Sequence, residues 1–295
     1  MQIVGAGLAT ASNALTTLGL LMQKQSAHLE RHKPLTKRWR LWLGLGMNVG
    51  SELILSSIAL ALTPLSIIGP LGDTSVVFSA LFTHFGACGV ASHKLRRGQC
   101  VATLLVCAGI VSITSSGTHS NLTIEALYEA SSKVPTITLL VAYTVVGSAV
   151  LIIHFCRHLS HTSKAFGALC FANITMYLFK TVAVSVRDLL QRGRLVHHML
   201  VACALLLPAS ASLQLFMLNM ALLGDARFIM PLYMTMRMLG MLLFGYVLGE
   251  FVVNDPYRDA ILLVGGVLGI GGGLVWLQID TDETRESVVS DDLRA

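Results

Sequence analysis

Charge is what this chain has least of. Asp, Glu, Lys and Arg make up 13% of its 295 residues, against 54% hydrophobic residues. That leaves too little polar surface for a water-soluble domain of this length. Also lacking are the arrangements that carry chemistry. There is no CxxC pair, no histidine at zinc-ligand spacing, no HExxH, no Walker-type glycine loop and no Ser/His/Asp grouping. An enzyme is therefore not expected, nor a resident cofactor. The six cysteines lie in or beside apolar runs and read as packing residues. The formal net charge of +5 is spread over short loops, so no nucleic-acid partner is expected.

What is present is a succession of apolar runs of about 20 residues, each long enough to cross a ~30 Å hydrocarbon core as a helix, with a mean hydropathy of +0.70. Barrel strands would instead alternate over ~10 residues. The fold class expected is an all-α polytopic membrane protein with about nine spans: 3–22, 41–62, 65–86, 99–116, 136–156, 165–186, 199–223, 228–248 and 260–277. The first run has no basic segment before it and is read as a retained helix. Loops carrying Lys24, Arg31, Lys33, Lys37, Arg38 and Arg40, and then Lys94, Arg96 and Arg97, fall on one side under this alternation, which predicts an outer amino terminus. The Asn121-Leu122-Thr123 glycosylation pattern lands outside and the acidic tail 280–295 inside. Arg187, Arg192 and Arg194 run against the rule on the outer side.

The stretch Leu62 to Asp73 concentrates the irregularity. Pro64 marks a very short junction, and Pro70 removes a backbone donor and frees a carbonyl one turn back. Asp73 follows, and broken backbone with a carboxylate is tolerated at bilayer depth only against protein or a water-filled cavity. Ala61-Leu62 followed by Gly69-Pro70-Leu71-Gly72 is echoed by Ala221-Leu222 followed by Met230-Pro231-Leu232-Tyr233. The two segments run in opposite directions, which suggests an inverted repeat with a substrate site near the midplane. Its halves are 1–130 (helices 1 to 4) and 131–279 (helices 5 to 9).

Polar residues mark candidate lining. Asn48, Glu52 and Ser56 recur at steps of four, with Glu52 near mid-span. Asn173, Tyr177 and Lys180 share a face of helix 6, Ser210 and Gln214 one of helix 7, and Tyr233 and Arg237 one of helix 8. Neutral members could equally be interhelical glue. Glu52, Asp73 and Arg237 are costlier to bury and should face a cavity or one another, while Lys180 could snorkel. Gly46 with Gly50, and Gly265 with Gly269 and Gly273, read as close-packing patterns rather than a phosphate loop.

The segment ALTPLSIIGPLGDTSVVFSAL (61–81), with LQLFMLNMAL (213–222), resembles the NIPA family of magnesium transporters within the drug/metabolite transporter superfamily. Pro64, Pro70-Leu71-Gly72, Ser75-Val76 and Ser79-Ala80 carry the likeness in the first segment. Gln214, Leu218-Asn219 and Ala221-Leu222 carry it in the second, followed by Pro231 and Tyr233. Lys180, the pair Arg187-Asp188 and Glu250 also resemble family positions. The resemblance implies inverted halves of four and five helices, and transport of Mg²⁺ or another divalent cation across a plasma or endosomal membrane. Asp73 and Arg237 stand where uncharged residues are expected for the family. An organic anion or zwitterion is therefore the alternative cargo, and a non-transporting structural or receptor-like protein the second alternative. The candidate substrate residues are Asn48, Glu52, Ser56, Asp73, Lys180, Gln214, Asn219, Tyr233 and Arg237, with Glu52 and Asp73 as metal ligands. The expected partners are the lipid bilayer, a small ion or solute and, for self-association, a homodimer.

Overall fold

The computed structural model describes all residues except 1, 31, 33, 87–96, 157–159, 193–196, 222–225 and 293–295. The side chains at 24, 27, 28, 35, 190, 192, 197–199, 219, 226–228, 230, 231 and 278–292 also lie outside the described set. The chain is an all-α polytopic membrane protein. Among the described residues eight helical stretches are long and apolar enough to cross a bilayer, and a shorter apolar stretch, Leu232–Leu248, lies in a further helix. No residue requires a sheet in this setting, because a helix satisfies its own backbone groups within lipid.

Helix α1 (Gln2–Leu29) packs along α2 (Trp39–Gly50). A π-helical turn, Ser51–Ser56, joins α2 to α3 (Ser57–Leu62), so the second span is one rod with a wide turn near its middle. Proline disfavours helical backbone at the residue before it, and Thr63 is accordingly extended ahead of Pro64. Helix α4 (Leu65–Gly72) then starts immediately. It carries Pro70 internally and ends at Asp73, whose φ −74° and ψ −11° leave the ideal helix before α5 (Thr74–His84) resumes. The third span is thus broken near its middle.

Helix α6 (Arg97–Thr114) leads to strand β1 (Thr118–His119) and the short helix α7 (Ile124–Ser132). Helices α8 (Val134–Cys156), α9 (His161–Arg192), α10 (His197–Ala221) and α11 (Ala226–Leu248) follow. Strand β2 (Phe251–Val252) pairs antiparallel with β1, Thr118 opposite Val252 and His119 opposite Phe251, making a two-stranded ribbon across one end of the bundle. Helix α12 (Pro256–Asp292) closes the chain against α6. Where the sequence suggested a separate acidic tail from Asp280, the backbone continues as helix to Asp292. The ribbon and α7 were not anticipated either.

Burial runs against hydropathy, as a lipid solvent requires. Helix α8 has the most apolar window, 2.3, yet only 11% of it is buried, whereas α9, at 1.5, is 67% buried and packs on α3, α8, α10 and α11. The helix with more polar groups goes to the protein interior, where those groups find partners.

Two glycine contacts set close backbone approaches between helices. A Cβ on Gly19 would lie 2.5 Å from the Gly44 carbonyl, and one on Gly109 would lie 2.6 Å from the Gly266 carbonyl. This corrects the sequence reading of helix 2 and part of that of helix 9. Gly46, Gly50 and Gly265 face open space, while Gly269 and Gly273 do pack on α6, at Leu105 and Ala102. Helix rotation decides which of several nearby glycines meets the partner. Gly109→Val should cost about 1–3 kcal/mol by forcing α6 from α12, whereas Gly265→Val should be neutral. Thermal unfolding in detergent distinguishes the two.

Candidate functional site

Near the middle of the second and third spans, two interruptions of regular helix face α1. At the first, Ser12 Oγ donates to the Ser51 carbonyl at 3.1 Å and meets Ser56 Oγ at 2.9 Å, while Thr16 Oγ1 and Ser51 Oγ lie 2.8 Å apart. Hydroxyls of α1 thus satisfy the widened π-turn, a feature frequent at functional positions. At the second, Asn13 Nδ2 donates to the Leu71 carbonyl at 2.7 Å and to Thr74 Oγ1 at 3.1 Å, and Thr74 Oγ1 donates to the same carbonyl at 2.6 Å. Ser75 Oγ donates to the Gly72 carbonyl at 3.0 Å. The break at Asp73 is held open by side chains.

Between these interruptions lies a cavity of about 60 Å³, bordered by Asn13, Glu52, Ser56, Gly72 and Arg237 among apolar residues that include Leu60, Ile68 and Met241. Ser56 Oγ donates to Glu52 Oε2 at 3.3 Å. The Arg237 guanidinium lies over the third-span break, 2.9 Å from where a Gly72 Cβ would stand. It is also the charged group acting on the Asp73 carboxyl. Among the described residues no ion pair within 4 Å joins these charges, and buried Asp73 keeps Oδ2 without a hydrogen-bond partner. Glu52 and Arg237 therefore share one cavity and Asp73 sits behind it. Asn48 does not reach it. The wide turn advances the backbone less per residue, so the expected Asn48, Glu52, Ser56 stripe is interrupted, and Asn48 packs instead on α1 at Gly19.

A second cavity of about 330 Å³ lies between α8, α9 and α11, with Val150, Phe166, Leu169, Tyr233 and Met236 among its walls. Gln214 Nε2 donates to Tyr233 Oη at 2.9 Å, so these two expected residues meet here and not at the charged cavity. The Asn219 side chain lies outside the described residues.

Lys180 is also elsewhere. Rather than snorkelling, its Nζ is buried 3.0 Å from Glu250 Oε1 and donates to the Thr63 carbonyl at 2.8 Å. Glu250 Oε2 accepts from the Leu65 N–H at 2.7 Å. Arg187 donates to the carbonyls of Ala61 and Leu122, and Asn121 Nδ2 donates to that of Leu62. The carbonyls of Ala61, Leu62 and Thr63 and the N–H of Leu65, all loosened at the Thr63-Pro64 junction, thus each receive a side chain, as buried broken backbone requires. Arg187, which ran against the charge rule in the sequence reading, is engaged at this junction. Ser66 Oγ and His119 Nδ1, 2.8 Å apart, tie α4 to the ribbon, and burial holds the His119 imidazole below its ordinary value.

The same geometry bears on the glycosylation pattern. Asn121 is engaged through its nitrogen, and Thr123 caps α7 by accepting from the Ala126 N–H at 3.3 Å. The folded protein should carry no glycan at Asn121. Glycosidase treatment should leave its mobility unchanged, and a glycan on correctly folded material would contradict the assignment.

Ser12, Asn13 and Thr16 were not singled out from sequence, although polar residues at one-turn spacing inside α1 were the available signal. Glu250 was noted only as a family-like acidic position. Among the described residues no cluster of three or more His, Cys, Asp or Glu stands at metal-binding distance. The chain was compared with known families, curated proteins and solved structures. It matches none of them.

Proposed function

We propose that this chain is a membrane transporter that moves Mg²⁺, or a similar small divalent cation, through the cavity between the two interrupted helices. The observation that carries the reading is that cavity. Glu52 and Arg237 open on it without a direct ion pair, at the depth where spans two and three lose regular helix. Discontinuous helices and ionisable groups at mid-bilayer are the construction of ion and solute paths. At ~10–15 Å³ per water, about 60 Å³ suits an ion with a few waters. An organic solute takes several hundred Å³. Mg²⁺ retains waters and uses one or two carboxylates, of which Glu52 would supply one, beside the oxygens of Asn13 and Ser56. With Asp73 countering Arg237, Glu52 leaves the site with one net negative charge.

An inverted repeat of four and five helices fits the neighbour relations. Helix α1 pairs with the second span as α9 pairs with α10. The third span meets α1 as α11 meets α9, and α6 meets α12 across the middle. One observation favours a zwitterion instead: Arg237 makes no hydrogen bond among the described residues and could receive a carboxylate. Proteoliposomes given Mg²⁺, amino acids or nucleotide sugars separate these readings. Saturable Mg²⁺ uptake without organic flux is the expected result. Organic flux without Mg²⁺ movement would transfer the site to the zwitterion reading, and movement of nothing would end the transporter reading.

A further inference from the structure

We propose that the Lys180 and Glu250 pair is the latch of a gate that closes the ribbon end of the path, and that the chain is held here open toward the opposite end. The inference rests on the transporter reading. Three observations carry it.

The first is asymmetry along the third span. Its half nearer the ribbon, α4, buries Leu65, Ser66, Ile68, Gly69 and Pro70, whereas α5, beyond the break, buries none of its residues. Every residue from Thr74 to His84 is partly exposed, so this helix is less closely covered than α4. The span is closely covered at one end of the path and less so at the other.

The second is the junction itself. It is two residues of extended chain, Thr63 and Pro64, held by groups from elements distant in sequence. Lys180 comes from α9, Glu250 from the turn after α11, and Asn121 from the loop after the ribbon's first strand. The ribbon lies over it, with the Ser120 N–H donating to the Glu250 carbonyl at 2.8 Å. Opening this end means withdrawing α9 and the α11 turn from the junction, and the Lys180 and Glu250 contact at 3.0 Å is the buried ion pair broken in that movement.

The third is the chemistry of the latch. Burying both charges costs desolvation that their attraction only partly offsets, and water regained on opening solvates both. An ionic latch therefore lowers the cost of opening relative to an apolar plug of the same shape. Two signs follow. Removing one charge leaves the other uncompensated in the closed state and drives the gate open. Removing both takes away the gain from hydration and holds the gate shut.

The test needs no substrate. In a background with the six native cysteines replaced, Ser56→Cys reports cavity access to an impermeant thiol reagent applied to either side, and Tyr128→Cys on α7 identifies the ribbon side. Ser56→Cys should react quickly from the opposite side and slowly from the ribbon side. Glu250→Gln, which keeps an acceptor for the Leu65 N–H, should raise the ribbon-side rate at least about tenfold, and Lys180→Met with Glu250→Gln should lower it below the starting value. Equal reaction from both sides at the outset, or no change in Glu250→Gln, would overturn the proposal. If Glu250→Gln does not fold, a staple decides. Thr118→Cys with Val252→Cys joins directly paired ribbon positions. Its oxidation should abolish ribbon-side labelling reversibly, and unchanged labelling would overturn the gate. Correct labelling without Mg²⁺ flux would count against the ion and not against the gate.

Discussion

Lys180→Met is expected to destabilise the protein by about 3–5 kcal/mol, the range for breaking a buried ion pair from one side. Glu250 is 0% exposed and its partner 1%, so while the junction stays closed no water replaces the lost ammonium. The Thr63 carbonyl loses its donor at the same time. Methionine fills nearly the same volume, so packing contributes little and the loss reports the charge. Adding Glu250→Gln should recover most of it. Glutamine is neutral, still accepts from the Leu65 N–H, and its amide is a new donor close to Thr63. Thermal unfolding in one detergent, across the double-mutant cycle, measures the coupling. If Lys180→Met unfolds at the wild-type temperature, the junction is hydrated and the latch is not buried. If the double variant is no more stable than the single, the two residues are not partners.

The all-α, membrane-spanning character was legible from sequence because apolar length is dictated by the bilayer and needs no knowledge of neighbours. The break at Thr63 was legible for a similar reason, since Pro64 acts on its own predecessor. Pro70 pointed to a second break within one turn of where it occurs. The π-turn at Ser51–Ser56 carries no proline or glycine within it, and its stabilising hydroxyls belong to α1. A local pattern could not reveal it, and Asn48 leaves the face it was expected to share with Glu52 and Ser56. Lys180 was read as free to snorkel and placed among the path residues, because its acid lies beyond two further helices. The same distance separates Arg237 from the Gly72 backbone it covers. What sequence marked correctly was which groups are expensive in a membrane. Which of them meet is a property of helix rotation and packing.

Glu52→Gln carries the largest expected effect on transport. Glutamine preserves shape and can still accept from Ser56, so folding should be unchanged. The charge opposite the ion disappears, while Arg237 and the buried Asp73 stay as they are. Two unit charges about 4 Å apart at an effective dielectric of about 20 interact by about 4 kcal/mol. Half of that, allowing for water in the cavity, already corresponds to roughly a thirtyfold loss in rate. The measurement is stopped-flow Mg²⁺ uptake into proteoliposomes carrying equal amounts of folded wild-type or Glu52→Gln protein under one imposed gradient. Saturable uptake by the wild type, with the variant at least about thirtyfold slower, is the result this account predicts. Wild-type uptake at the same rate in both would contradict it, and would reduce Glu52 to a packing residue beside a path that runs elsewhere.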